Sequence, residues 1–414
     1  MAIYNFVTEL VRLLLPVFGR FNTKLKKGID GRQNTFKILQ KHIQKGDDVF
    51  WFHCASLGEY EQGLPVFEQL KAKNPEAKIV LSFFSPSGYE IRKENPITPI
   101  TVYLPLDTKK KVHKFLQLTD PKLVVFVKYE LWPNYLKALK NHTAKVVLIS
   151  ALLRPDQYFF KFYGKQWKRL FFCFDHIFTQ NIESKKLLQN IGYQNITIAK
   201  DTRFDRVSNQ LKQDNTLPFI EDFKNGKLCI VAGSTWFEDE QVLIPYIQNA
   251  PKSIKFIIAP HLIQKQKIQK LKDALGSKAV LYSNYKEETL AEKQVFIVDT
   301  IGLLSKVYSY ADLTYIGGGM GTSGLHNTLE AAVFGIPIII GKNYQKFPEA
   351  KEMLQDGGLF SIKNSADLNN VLDGLIKDEK HRKNCGQKNG VYVANNKGAS
   401  TAILEKVKNF LLKD

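Results

Sequence analysis

Cysteine is scarce in this sequence, with four residues in 414, and no two of them stand close together. No C-x-x-C pair and no cluster of His, Cys, Asp or Glu at metal-ligand spacing occurs, so the sequence predicts neither disulfides nor a metal or cofactor. Such sparse cysteine is typical of a reducing compartment, most simply the cytoplasm. The G-x-x-x-x-G-K-[ST] spacing is also missing, which excludes a P-loop nucleotide site.

Apolar and basic residues are abundant. The sequence is 44% hydrophobic and contains 28 Phe and 17 Tyr, enough for large cores and inconsistent with wholesale disorder. At about 150 residues per domain, its length predicts two or three domains. The net charge is +19, and residues 1–210 hold 33 bases against 18 acids. That half therefore predicts an anionic partner, which could be nucleic acid, anionic lipid or a phosphorylated small molecule.

The amino-terminal segment is apolar apart from one narrow polar stripe. Asn5, Thr8, Glu9 and Arg12 recur at helical spacing within residues 2–18. Two charges in so short a span argue against a transmembrane helix, and the flanks lack the features of a secretory signal. A basic cluster follows, formed by Arg20, Lys24, Lys26 and Lys27. Residues 1–20 are thus predicted to form a helix that lies in an anionic membrane interface or docks on its own domain.

Short apolar runs alternate with helical patterns along the rest of the chain. The first series of strands is predicted at 48–53, 78–84, 100–105, 122–127, 145–150 and 176–180, and the second at 228–232, 254–259, 294–299, 312–317 and 336–340. Unbroken apolar strands separated by helices indicate doubly wound parallel sheets. We predict an α/β fold with domains at 21–206 and 218–414, a linker at 207–217, and a cleft between the domains. Ligands are expected beyond the carboxyl ends of the strands.

Two carboxylates follow strands of the first domain. Glu59 stands after the first strand, at the start of a helical pattern, and Glu130 stands after the fourth. Both could be structural, because Glu59 suits a helix N-terminus and Glu130 could pair with Lys128. Acidic groups at neighbouring strand ends could instead serve as general base and acceptor-positioning acid.

The second domain has two turns suited to a phosphate or nucleotide. Gly233, Ser234 and Thr235 follow a buried strand and offer N–H and hydroxyl donors, although Ser and Thr are also common helix caps. Five glycines within residues 317–324 follow another strand and suggest close approach of a ligand, although such a loop can also serve packing alone. Asn327 and Glu330, one helical turn apart, could face one ligand, and Glu330 suits ribose hydroxyls.

In combination these motifs are specific. They are H-x-A-S-x-G-E at 53–59, E-x-W-P-N at 130–134, F-D at 204–205, A-G-S-T at 232–235 and a glycine-rich loop continuing to H-N-x-L-E-A-A at 326–332. Together the motifs resemble those of the 3-deoxy-D-manno-oct-2-ulosonic acid (Kdo) transferases of lipopolysaccharide assembly. The resemblance implies a GT-B architecture, with an amino-terminal acceptor domain and a carboxyl-terminal donor domain. It also implies inverting, metal-independent transfer of Kdo from CMP-Kdo to a lipid A precursor.

The resemblance assigns roles to individual residues. Glu59 falls where the family places its general base and Glu130 where it places a second essential acid. The positions implied to meet CMP are Pro260, His261, Ile301, Gly302 and Leu303, and the donor-binding segment is implied at Asn327, Thr328, Leu329 and Glu330. Gly233, Ser234 and Thr235 are expected to hold the CMP phosphate through their N–H and hydroxyl donors. Family members act at the cytoplasmic face of the inner membrane, so the resemblance implies a peripheral or singly anchored protein there and favours the interfacial interpretation of residues 2–18.

Several positions depart from the family pattern. His261 stands where the family has Arg, so a permanent cation is replaced by a titratable imidazole, and Trp236 stands where it has His. Thr328 replaces the usual Pro, and the segment 200–205 also differs. Two alternatives remain beside Kdo transfer. One is a GT-B enzyme using a UDP-sugar. The other is a basic nucleic-acid- or membrane-binding protein, which the absence of an RNP-type motif disfavours.

Overall fold

The computed structural model describes residues 1–411, apart from the side chains of Lys24, Glu287 and Glu288. It contains two compact units. Met1–Arg206, joined by the carboxyl-terminal segment that begins at Lys397, forms the first unit, and Val207–Asn396 forms the second. Each unit is built around one parallel sheet.

The first unit's sheet has seven parallel strands in the described chain. They are β1 (Val49–Cys54), β2 (Lys78–Phe83), β3 (Thr101–Tyr103), β4 (Leu123–Val127), β5 (Lys145–Ala151), β6 (His176–Thr179) and β7 (Ile196–Ile198). Their order is β3-β2-β1-β4-β5-β6-β7. The central strands are buried along their whole length, because helices cover both faces of the sheet.

Helices connect these strands and flank the sheet. They are α1 (Ala2–Gly19), α2 (Thr23–His42), α3 (Leu57–Lys73), α4 (Pro86–Arg92), α5 (Lys109–Thr119), α6 (Pro133–Lys140), α7 (Lys165–Lys168), α8 (Ile182–Asn190) and α9 (Arg203–Gln210). Pro133 stands in the first turn of α6, where its missing N–H leaves no intrahelical bond unmade. Helix α9 runs into the segment 207–217 that the sequence predicted to be an irregular linker.

The second unit repeats the design with seven parallel strands in the described residues. They are β8 (Leu228–Thr235), β9 (Ile254–Pro260), β10 (Ala279–Leu281), β11 (Val295–Ile297), β12 (Leu313–Ile316), β13 (Ile338–Gly341) and β14 (Leu359–Ile362), in the order β10-β11-β9-β8-β12-β13-β14. Its helices are α10 (Pro218–Lys224), α11 (Phe237–Asn249), α12 (Lys265–Leu275), α13 (Glu287–Leu290), α14 (Leu304–Val307), α15 (Leu329–Ala332), α16 (Pro348–Asp356), α17 (Ser365–Lys377) and α18 (Glu379–Asn396). The prediction of two doubly wound parallel sheets is confirmed.

The last helix, α19 (Ala399–Leu411), packs on the first unit, whereas the sequence placed everything from 218 to 414 in the second domain. Its buried Ile403, Leu404 and Val407 join the hydrophobic core beneath α3. Asp205 holds its start, because this carboxylate accepts hydrogen bonds from the backbone N–H groups of Gly398 at 2.5 Å and Ser400 at 2.7 Å. Helical periodicity reveals an apolar face but does not reveal which sheet that face covers. Residues 412–414 lie outside the described chain.

Helix α1 turns its polar edge toward the first unit and its apolar face outward. Tyr4 donates to Asp107 at 2.7 Å, and Asn5 accepts from the side chain of Asn134 at 2.9 Å. Ile3, Phe6, Leu13 and Phe18 are between 57% and 80% exposed. Of the predicted polar stripe, Asn5 therefore docks on the first unit, whereas Glu9 and Arg12 pair with each other at the surface. The apolar side of α1 is not buried on its own domain.

The sequence missed three strands, β7, β10 and β14, each at an edge of its sheet. These strands are three or four residues long. Edge strands are paired on one side only, so they need no long apolar run that a sequence pattern could reveal.

Candidate active site

The two candidate acids follow neighbouring strands at the topological switch point of the first sheet. Strand β1 pairs with β2 on one side and with β4 on the other, in a register that sets His53 beside Phe126. Successive crossovers leave in opposite directions at this position and open a crevice at the carboxyl ends of the two strands. Glu59 is in the first turn of α3, after β1, and Glu130 is in the loop between β4 and α6.

Glu59 is only 7% exposed and is held by the backbone around it. Its Oε2 accepts hydrogen bonds from the N–H groups of Ala55 and Ser56, the latter at 3.2 Å. The structural role of Glu59 as a cap at the N-terminus of α3 is therefore real. Both bonds go to one oxygen, so the other is the atom with which this carboxylate could take a proton from a ligand.

The pKa of Glu59 is raised to about 7, chiefly by burial and also by the negative charge of Glu130. The backbone N–H groups of Ala55 and Ser56 and the ammonium of Lys128 oppose this rise. A carboxyl group with a pKa near neutrality changes protonation where a general base must work. A helix cap in contact with water would not show this property, so Glu59 has the electrostatics of a functional acid as well as the position of a cap.

Glu130 is also largely buried, with 14% of its side chain exposed. Its Oε2 accepts a hydrogen bond from the indole N–H of Trp132 at 3.0 Å. The loop that carries it begins with Lys128 in the left-handed region at φ +68°, a strained conformation for a residue with a side chain. Such strain is concentrated at functional sites, and here it turns the chain sharply after β4.

The predicted donor residues of the second unit lie at its own switch point, where β8 pairs with β9 and β12. Close packing explains Gly233, because a methyl group there would overlap the hydroxyl of Tyr308. Ser234 has φ +53°, a strained conformation near the end of β8 like that of Lys128 after β4. Thr235 is buried, and its hydroxyl donates to Glu240 at 3.1 Å.

The glycine-rich loop is tight because backbone meets backbone. Side chains at Gly317, Gly318 and Gly341 would overlap Ser234, Gly324 and Gly319 respectively. These contacts account for several of the glycines without a ligand, so the packing interpretation of the loop has direct structural support.

Asp239, which the sequence did not single out, anchors this loop. It is fully buried. Its Oδ2 accepts from the N–H groups of Trp236 at 2.9 Å and Gly318 at 2.7 Å, and its Oδ1 accepts from the hydroxyl of Tyr315 at 2.8 Å. The sequence offered one signal for this role: Asp239 stands in the first turn of a helix that begins where a strand ends, a position where a carboxylate accepts backbone N–H groups.

The remaining predicted donor residues differ in exposure. Ile301 is 90% exposed in a loop with Gly302 at φ +99°, and Leu303 precedes α14. Asn327 donates to Glu330 at 3.1 Å, so this pair is formed. Thr328 and Leu329 are buried, which turns their side chains into the core. Pro260 ends β9.

The two departures at Trp236 and His261 contact each other. Their rings stack at 4.7 Å, His261 lies 4.3 Å from the ring of His326, and Trp236 donates to His326 at 2.9 Å. Burial lowers the pKa of His261 and, with the effect of His261, lowers that of His326 to about 4. The cluster is therefore neutral at neutral pH and supplies aromatic surface where the family pattern has a cation. Among residues 1–411, no group of three His, Cys, Asp or Glu side chains is placed to hold a metal ion.

Replacing Asp239 with asparagine should destabilise the second unit. The asparagine oxygen can still accept from Trp236 and Gly318, but more weakly than a carboxylate, and its NH2 group then faces the N–H of Met320, which loses its acceptor; together these changes cost about 1–3 kcal/mol. We expect this loss in urea unfolding, together with faster hydrogen exchange at the Gly318 amide. Asp222→Asn, at an exposed position of α10, is the matched control and should change stability by less than about 0.5 kcal/mol. Unchanged protection of Gly318 would contradict the anchoring role.

Comparison with known proteins agrees with this architecture. Residues 30–206 match the family described as 3-deoxy-D-manno-octulosonic-acid transferase (kdotransferase), and residues 259–390 match glycosyl transferases group 1. A 3-deoxy-D-manno-octulosonic acid transferase of Chlamydophila psittaci is 26% identical, covering 99% of this chain and 95% of its own length. One from Aquifex aeolicus is 27% identical, covering 84% and 93%.

A solved structure shares the fold. The UDP-GlcNAc 2-epimerase from Neisseria meningitidis, bound to UDP-GlcNAc, matches with a TM-score of 0.60 and 14% identity over 89% of this chain and 100% of that one. The expected GT-B architecture is thereby confirmed. The chain therefore carries a domain of the Kdo transferase family at residues 30–206 and a group 1 glycosyltransferase domain at residues 259–390, and it is a glycosyltransferase similar to Kdo transferases over most of its length.

Proposed function

We propose that this protein transfers Kdo from CMP-Kdo to a lipid A precursor, with Glu59 as general base. The observation that carries the proposal is a buried carboxyl group with a pKa near 7 beside a second carboxylate at the switch point of the first sheet. The relatives described as 3-deoxy-D-manno-octulosonic acid transferases support the choice of sugar. The basic balance of residues 1–210 supports a phosphorylated acceptor.

The proposed chemistry is a single displacement. A hydroxyl oxygen of the acceptor attacks the anomeric carbon of Kdo and forms the new glycosidic bond, while the bond from that carbon to the phosphate oxygen of CMP breaks. Glu59 takes the hydroxyl proton, and CMP leaves with the bonding electron pair. One displacement inverts the anomeric configuration and needs no covalent enzyme intermediate. Glu130 raises the basicity of Glu59 and positions the acceptor.

The donor is assigned to the second unit. The end of β8 at Gly233–Thr235, where the sequence had indicated a turn, and the loop at 301–303 are assigned to the phosphate, and Asn327 with Glu330 offers an amide and a carboxylate to the nucleoside. The neutral ring cluster of Trp236, His261 and His326 offers a flat apolar surface beside them.

The full chain should convert a lipid A precursor to a product heavier by one or more Kdo residues when CMP-Kdo is generated in situ. Mass spectrometry of the lipid measures this directly, and titration calorimetry should show binding of CMP in preference to UDP. Binding of UDP without CMP would instead indicate an enzyme that uses a UDP-sugar. Steeply salt-dependent RNA binding without CMP binding would indicate the nucleic-acid alternative.

Glu59→Gln should lower turnover by about 10²- to 10⁴-fold, because the amide keeps the size and capping oxygen but cannot accept the proton. CMP affinity should be unchanged. In the parental protein the rate should rise with pH and level off above about 7, since Glu59 is protonated and inactive below its raised pKa.

The matched control is Glu68→Gln, an exposed position of the same helix, which should keep both the rate and its pH profile. The capping role alone predicts a loss of stability of about 1 kcal/mol with near-normal turnover in the folded fraction. A folded Glu59→Gln protein with the parental rate would remove Glu59 from the mechanism and make Glu130 the next candidate.

We also propose that α1 lies on an anionic membrane surface, at the cytoplasmic face of the inner membrane. Among the helices of residues 1–411, α1 is the one that is long and apolar enough to cross a membrane, by length and composition alone. Its orientation favours the interfacial arrangement, because Asn5 and Tyr4 tie the polar edge to the first unit while the apolar face stays uncovered. Arg20, Lys26 and Lys27 continue the chain with positive charge.

The double substitution of Phe6 and Leu13 by serine should weaken binding to phosphatidylglycerol-containing vesicles by at least about 10-fold, because two exposed apolar side chains no longer enter the interface. Co-sedimentation measures this. Phe237→Ser, which removes a 69% exposed ring from the second unit, is the control and should bind like the parental chain. Equal binding of the double variant and the parental protein would rule out the apolar face of α1 as the membrane contact.

A further inference from the structure

A buried chain of polar side chains stands behind the two acids, and the proposed mechanism leaves it without a role. Trp51, Ser82 and His53 are fully buried in β1 and β2. The indole of Trp51 donates to Ser82 Oγ at 2.7 Å, and Ser82 Oγ lies 2.9 Å from His53 Nδ1. On the other side of the ring, Trp132 Nε1 lies 3.1 Å from His53 Nε2.

These contacts determine the tautomer of His53. An indole nitrogen is only a donor, so Trp132 requires a lone pair on Nε2. The ring proton must then sit on Nδ1 and point at Ser82 Oγ, which also accepts from Trp51. The serine hydroxyl is left to donate to the carbonyl of Phe52, 3.4 Å away. His53 therefore carries a ring proton on Nδ1 and accepts the indole N–H of Trp132 at Nε2.

The indole N–H of Trp132 is shared by two acceptors. It points at His53 Nε2 and also at Glu130 Oε2, 3.0 Å away, and these two acceptors are 3.7 Å apart. A lone pair and a carboxylate oxygen at that distance repel each other unless a proton lies between them. The Trp132 ring is held in turn by Phe84 at 4.7 Å and meets His53 edge to face.

We propose that Trp132 is a positioning residue for Glu130, itself held in place by the Nδ1–H tautomer of His53, so that the Glu130 carboxyl group stays beside Glu59. The inference rests on the proposed function for its catalytic meaning, whereas the positioning itself is a property of the protein alone. It assigns a role to the tryptophan of the E-x-W-P-N motif and to the histidine of H-x-A-S-x-G-E.

Loss of the indole proton of Trp132 should lower the pKa of Glu59, because it reduces the negative charge near that carboxyl group. Without that proton, no donor lies between the Glu130 carboxyl group and Nε2 of His53, and their repulsion is relieved when the carboxyl group of Glu130 swings away. That movement reduces the negative charge near Glu59. The other ionisable groups that interact with this pair are the ammonium of Lys128 and three groups whose pKa is raised by burial, which keeps them uncharged: the thiol of Cys54 and the phenols of Tyr129 and Tyr158.

The test is the titration of Glu59 in Trp132→Phe, which keeps a ring against Phe84 but has no N–H. Carbon-13 NMR of glutamate-labelled full chain follows the carboxyl groups, and Glu59→Gln assigns the signal. We expect the pKa of Glu59 to fall from about 7 by about 1, toward its ordinary value. Trp167→Phe, which removes an indole elsewhere in the first unit, should leave the titration at the parental value.

Glu130→Gln keeps an acceptor for the indole but removes the charge, so it should lower the pKa of Glu59 at least as far as Trp132→Phe does. It should also move the indole proton resonance of Trp132, a measurement that holds even if Trp132→Phe does not fold. A folded Trp132→Phe protein with the parental titration, or an indole resonance indifferent to Glu130→Gln, would overturn the inference.

The outcome separates the two proposals. A shifted titration in a protein that makes no Kdo product would reject the proposed function and keep the positioning role. Kdo transfer by the parental protein, together with an unshifted titration of Glu59 in Trp132→Phe, would support the proposed function and reject the positioning role.

Discussion

The parallel pairing of β1 with β4 is the constraint on which the first unit depends. It brings together two loops that are far apart in the chain, at the one point of the sheet where the crossovers diverge. Glu59 and Glu130 become neighbours only through this pairing. Burial on both faces of the sheet then removes water from around them, so the same hydrophobic packing that stabilises the strands raises the pKa of Glu59.

The pairing also explains why a helix cap and a reactive acid can be one residue. The start of α3 needs an acceptor for its unpaired N–H groups, and Glu59 Oε2 provides it. These N–H groups orient the carboxylate and lower its pKa, but burial and the charge of Glu130 raise that pKa by more, so Glu59 keeps the basicity that a general base needs. Glu59 can therefore be a helix cap and a general base at once. The turnover of Glu59→Gln distinguishes a residue that does both from one that only caps the helix.

The second unit uses the same topological position with different means. At its switch point, glycines without side chains allow the backbone of β8 to contact the backbone of the loop that follows β12. Asp239 anchors this loop by accepting the N–H of Gly318. Within the motif at 326–332, the side chain of Leu329 is buried in the core, whereas Asn327 donates a hydrogen bond to Glu330. The exchanges at 236 and 261 form one ring cluster, so two departures that look independent in the sequence are one change in the structure.

The sequence by itself determined the class of the fold and most of its central strands, because buried parallel strands need long apolar runs. It also placed Glu59, Glu130 and the glycine-rich loop at strand ends, because turns after strands carry recognisable residue types. Tertiary structure alone decided the edge strands, the return of α19 to the first unit and the outward apolar face of α1. These depend on contacts between residues distant in the chain, such as Asp205 with Ser400 and Asn5 with Asn134. The bond of Trp132 to His53 and Glu130 belongs to the same class, since local periodicity carries no information about which side chains a sheet brings within hydrogen-bonding distance.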